Sequence, residues 1–164
     1  MPELPDATAF GFAVHTSLFQ LVWAVKRWRR GEEWRAVDDL NGCAARQGVE
    51  IRSGDFVIFR TGQLERCLTE GQWGSYAGGD APGLAFETCH WIRQKDIAAI
   101  CADTWGCEVR PNHAEVNQPW HWVVIPAIGI TMGEMFYLKD LAEDCVADGR
   151  YEFFFCAPPL VITV

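Results

Sequence analysis

The chain lacks most of the features that mark a specialised protein class. No two of its seven cysteines form a Cys-x-x-Cys pair, the number is odd, and they are scattered from Cys43 to Cys156. A disulfide framework or a zinc knuckle needs paired spacing, so neither is supported, and free thiols in a reducing cytoplasm are expected. Basic residues are few, 14 Lys and Arg against 22 Asp and Glu, and the net charge of −8 argues against a polyanionic partner such as nucleic acid. There is no Gly-x-Ser-x-Gly nucleophile elbow, no phosphate-binding glycine loop and no internal repeat. The composition also lacks the low-apolar, high-charge signature of disorder.

No apolar run has the character of a membrane span. Ala7 to Val25 carries no charge, but Thr8, Gly11, His15, Thr16, Ser17 and Gln20 dilute it. A signal peptide would place positive charge first; here Glu3 and Asp6 come first, and the basic run Lys26, Arg27, Arg29 and Arg30 follows. A soluble, cytoplasmic protein is expected, and a membrane-tethered interaction module is the weakest reading.

What remains is ample material for one core. A chain of 164 residues with 49% hydrophobic and 13% aromatic side chains sits near the commonest single-domain size. Asp38 reads as the N-cap of a helix that buries Leu40, Cys43 and Ala44 and stops at Gly48. Phe56–Phe59, Ile97–Cys101 and Tyr151–Cys156 read as buried strands, because each is a short apolar run between turn signals. Leu84 to Gln94 and Leu138 to Cys145 read as helices, and Gly71 to Gly83 as a loop. Pro119 suits the first turn of a helix running toward Gly129, with a kink near Pro126. Ile130 to Met132 is extended, and Leu160 to Val164 begins another strand. Strands alternating with helices predict an α/β fold with a mixed sheet.

Four histidines make the search for chemistry short. His90 and His113 have no partner at ligand-like spacing. His121 on the Pro119 helix and Glu134 after the Gly129 turn can meet at a strand end, where imidazole and carboxylate suit Zn²⁺ or Mn²⁺. The alternative is a solvent-facing Glu134 and a His121 packed between Trp120 and Trp122. Asp103 follows a strand, the usual position of ligand groups in open α/β sheets. For Asp103 and Glu108, capping of turns is the competing reading. Arg60 and Thr61 end another strand, where positioning a substrate competes with a structural salt bridge.

Several ordered motifs resemble the cyclase family, the metal-dependent amide hydrolases that include bacterial kynurenine formamidase and isatin hydrolase. They are GDFVIFRTG at 54–62, ADTW-x-x-E at 102–108, QPWHWVV at 118–124, and GITMGE at 129–134. L-x-x-L-A, YEFFF and Pro-Pro-Leu then follow in order. The resemblance implies a swivelling β/β/α-type domain over residues 38–164, incomplete at both ends, with 1–37 unassigned. It further implies a divalent metal, Zn or Mn, held by His121 and Glu134, with Asp103 and Arg60 lining the active site. A small-molecule amide, formamide or lactam would be the substrate, and the protein would be a homo-oligomer. The family's His-x-Gly-Thr-His-x-Asp motif is not matched at His15-Thr16-Ser17-Leu18, so no catalytic histidine is assigned. A cyclase-type hydrolase is therefore expected by family, with an inactive or partner-dependent chain as the alternative.

Overall fold

The computed structural model describes residues 15–20, 36–111 and 116–158. His113, the run Leu160–Val164 and most of 1–37, including all of Ala7–Val25 beyond 15–20, lie outside the described residues. The strands are β1 (His15–Gln20), β2 (Phe56–Arg60), β3 (Ala99–Ala102), β4 (Thr131–Gly133) and β5 (Glu152–Phe154). The helices are α1 (Ala36–Gln47), α2 (Gln63–Glu70), α3 (Thr88–Lys95), α4 (Pro119–Val123) and α5 (Lys139–Asp148). The strands form one sheet in the order β4-β3-β2-β1-β5. β1 to β4 run parallel, and β5 pairs antiparallel with β1. The fold is α/β with a mixed sheet.

The sheet is covered on both faces, which explains why its central strands are apolar throughout rather than alternating. Successive residues of a strand point to opposite faces. Val57 and Phe59 of β2, with Ile100 and Ala102 of β3, join Leu40, Trp91, Ile92, Trp120 and Val124 in the larger core. Their neighbours Ile58 and Cys101 turn the other way, onto Leu138, Ala142 and Cys145. β2 and β3 align Val57 with Ile100 and Ile58 with Cys101, so each face presents matched apolar pairs.

Several elements depart from expectation. Asp38 lies inside the first turn of α1, which begins at Ala36; with Asp39 it complements the positive end of the helix dipole, the same preference that favours a cap. Leu84 is not helical but pairs with the Cys107–Val109 segment, and α3 starts only at Thr88. α2 was not anticipated: its segment QLERCLTE buries only Gln63, Leu64 and Cys67. β5 is shorter than Tyr151–Cys156 and is not buried. As an edge strand with an outward Glu152, it leaves Phe154 76% exposed. β1 lies within the segment 1–37 left unassigned by the motifs and pairs with both β2 and β5.

The turn around Pro126 follows the physics of a missing N–H. α4 runs on into a wider π-helical turn over Val124–Ile128, which takes in Pro126. Gly129, at φ 83°, ends that turn in the left-handed region and feeds β4. Among the described residues no helix is long and apolar enough to cross a membrane.

Candidate functional site

Because β2, β3 and β4 are parallel, their carboxyl ends share one edge of the sheet. Arg60 is the last residue of β2, and Asp103 and Glu134 directly follow the ends of β3 and β4. This is the edge at which open α/β sheets place ligands. His15 begins β1 and so belongs to the opposite edge: its neighbour Thr16 pairs with Phe56, the first residue of β2. Four residues of strand correspond to about 13 Å between the two edges.

The three strand-end residues do different work. Asp103 is 1% exposed, and its carboxylate accepts three hydrogen bonds: from Thr61 N (2.8 Å), Thr61 Oγ1 (2.8 Å) and Gly62 N (2.6 Å). Burial pushes its pKa up, and those donors pull against the shift. Asp103 thus ties the end of β3 to the turn after β2 and is not among the residues lining the cavity described below. Arg60 forms a two-pronged ion pair with Glu65 of α2, and neither residue lines that cavity. Both residues have the structural partners named as the alternative.

Glu134 faces a cavity. The chain after Gly133 is pinned to the end of β3, with Met135 N donating to Thr104 O and Phe136 N to Ala102 O. Gly133 makes this possible, because a Cβ there would strike the Phe136 ring and Cys101 Sγ. Met135, on the other side of Glu134, takes a left-handed φ of 61°. With the backbone held on both sides, the Glu134 carboxylate points toward His121, and Oε1 stands 3.5 Å from His121 Nε2.

His121 is held from the other side by Glu108. The His121 Nδ1 lies 2.7 Å from Glu108 Oε2. The same carboxylate accepts the backbone N–H of Trp120 at 3.1 Å and that of His121 at 3.4 Å, the first-turn donors that a short helix leaves without partners. Trp120 is fully buried, and its indole N–H donates to Thr88 Oγ1 at 2.9 Å. Hydrogen bonds to Glu108 and then to Glu134 raise the His121 pKa to about 9, against the opposing effect of burial. The cavity, about 360 Å³, is lined by Trp105, Gln118, His121, Ile125, Met132 and Glu134.

The structure therefore brings His121 and Glu134 together at a cavity whose lining does not include Asp103 or Arg60. Glu108 was visible in ADTW-x-x-E, but nothing local joined it to His121, 13 residues away. Two donors at about 2.0–2.2 Å from one ion, at a tetrahedral angle, stand about 3.4 Å apart, so the observed 3.5 Å fits two positions of a zinc shell. Among the described residues no group of three or more His, Cys, Asp or Glu could hold a metal.

Residues 12–109 match the family model described as "Putative cyclase". The chain belongs to the cyclase family. The match begins within the segment that the motifs left unassigned and ends before His121. A crystal structure of a novel cyclase superposes on 90% of the chain, at 30% identity and a TM-score of 0.72. This cyclase-family chain spans 48% of that protein's length. An isatin hydrolase bound to the product analogue thioisatinate covers 58% of the chain at 17% identity (TM-score 0.45, 36% of its own length). Isatin hydrolase A from Ralstonia solanacearum covers 58% at 21% identity (TM-score 0.44, 36% of its own length). No curated protein sequence matches the chain at comparable significance.

Proposed function

We propose that this chain carries part of the active site of a metal-dependent cyclase-family hydrolase, in which His121 and Glu134 hold a divalent ion, Zn²⁺ or Mn²⁺. The observation that carries this reading is the meeting of the His121 ring and the Glu134 carboxylate across an open cavity. When bound, such an ion lowers the pKa of its water to near 7 and polarises a carbonyl. The chain's own residues supply the rest. Trp105, Ile125 and Met132 form an apolar wall for the body of a small molecule, and the Gln118 amide can donate to a carbonyl oxygen. A small amide, formamide or lactam, with one polar C–N–C=O group on an apolar body, suits that lining.

A catalytic zinc site uses three protein ligands and keeps one position open. The described residues offer two, which favours a second reading: turnover requires a further donor, from other residues of the chain or from a second polypeptide. Purified chain, dialysed against Zn²⁺ or Mn²⁺, should retain substoichiometric metal by elemental analysis. It should turn over N-formylkynurenine-like or isatin-like substrates slowly or not at all. His121→Ala or Glu134→Ala should release the retained metal. Metal content unchanged in both variants would sink the metal-site reading. Stoichiometric metal with robust turnover, lost in Glu134→Ala, would refute the need for a further donor.

A further inference from the structure

We propose that Glu108 is a positioning residue that holds the ring proton of His121 on Nδ1 and so reserves Nε2 for the cavity. The geometry sets up a competition between two carboxylates for one imidazole. Glu108 stands at 2.7 Å from Nδ1, and its side chain is 2% exposed; Glu134 stands at 3.5 Å from Nε2, and its side chain is 39% exposed. A neutral imidazole carries one N–H, and the shorter, drier contact takes it. In that neutral ring Nε2 is left with a lone pair aimed into the cavity beside Glu134. A proton or a metal ion between them satisfies both groups. A carboxylate on the far nitrogen of a ligating histidine fixes the tautomer and ring orientation and raises ligand basicity.

The carboxylate is itself held by backbone. Because it also accepts the Trp120 and His121 N–H groups, ring and helix start are fixed to the same two oxygens. Behind it, Leu84 N donates to Cys107 O at 2.7 Å and Val109 N to Leu84 O at 3.1 Å, bracketing Glu108 on both sides. Gly83 lets this segment close in: a Cβ there would come within 3.0 Å of Cys107 O and the Glu108 backbone. The sequence separation of Glu108 from His121 is thus bridged by a rigid pairing rather than by a loop.

The proposal rests on the metal reading only for what binds Nε2, and two measurements separate the two ideas. The first needs no metal and no variant. Long-range ¹H–¹⁵N correlation of the His121 ring, followed up to the pH at which the ring is neutral, reports which nitrogen bears the proton. The wild type should show Nδ1–H; Glu108→Gln should move the proton to Nε2, where Glu134 can accept it. A wild-type ring protonated on Nε2 overturns the proposal, whether or not the variant folds. The second is Zn²⁺ affinity by competition with a chromogenic chelator. Glu108→Gln should weaken binding by about 10–100-fold. A folded Glu108→Gln protein with lowered stability and unchanged Zn²⁺ affinity would assign Glu108 to general stability and overturn positioning. A wild-type chain that fails to bind Zn²⁺ while showing Nδ1–H would reject the metal reading and leave the positioning of the ring confirmed.

Discussion

Asp103 and Glu108 are two buried carboxylates five residues apart, on the segment that leaves β3, yet they serve different ends. The Asp103 carboxylate accepts three hydrogen bonds from the turn after β2, through Thr61 and Gly62. Glu108 divides its acceptors between the backbone of α4 and the ring of His121. Burial alone does not tell the two apart, since both are at most 2% exposed. Their partners do. A carboxylate that accepts only from backbone and hydroxyl groups ties the framework together. One that also meets an imidazole facing a cavity can influence what the cavity binds.

The sharpest way to break this comparison is to delete Asp103. Asp103→Ala leaves Thr61 N, Thr61 Oγ1 and Gly62 N without their acceptor at a buried strand end, at a cost of about 3–4 kcal/mol. Urea denaturation should show that loss, while the Zn²⁺ affinity of the folded fraction should stay within about twofold of wild type. A loss of Zn²⁺ affinity as large as that of His121→Ala would mean that Asp103 reaches the cavity after all.

The second test concerns pH, and it separates the His121 network from the Asp103 turn. The His121 pKa rises from 6.5 to about 9 in the folded protein, chiefly through Glu108 and then Glu134. A raised histidine pKa stabilises the fold fully below about 6.5, where both folded and unfolded chains bind the proton. As pH rises, the unfolded chain loses its proton first, and the contribution fades until it is gone above about 9. Metal-free protein should therefore lose on the order of 2–3 kcal/mol between pH 6 and pH 9.5 relative to His121→Ala. Parallel stability curves for the two proteins would show that His121 carries no such linkage.

The sequence disclosed those parts of the fold that depend on local pattern. Phe56–Phe59 and the run ending at Cys101 are apolar because both faces of the sheet are covered, and that shows in composition alone. Gly129 and Pro119 mark the ends of the segment that carries His121, so its meeting with Glu134 was also within reach. Glu108 was not, because its role depends on the pairing of Leu84 with Cys107 and Val109, a non-local contact in a segment read as helix. β1 was hidden by its own composition. His15–Gln20 lies inside an uncharged stretch that resembles a diluted membrane segment more than a strand. The Phe153–Phe155 cluster misled in the other direction, since aromatic residues suggest burial, whereas an edge strand of three residues can cover only one face.

The smallest expected change in stability belongs to Glu134, and it brings the comparison to a fine point. Its side chain is 39% exposed, and its contact to Nε2, at 3.5 Å, is the longer of the two that His121 makes. Removing its charge should alter stability by only about 0.5 kcal/mol at neutral pH, as for other partly exposed ion pairs. Glu134→Gln should still weaken Zn²⁺ binding by at least about tenfold, because a neutral amide is a poor substitute for a carboxylate ligand. It should also lower the pH at which the His121 contribution fades, but not to 6.5, since Glu108 remains and is the larger cause of the shift. Glu108→Gln should move that pH further. If Glu134→Gln moves it more than Glu108→Gln does, the cavity side of the ring governs the proton, and the assignment of the two carboxylates must be exchanged.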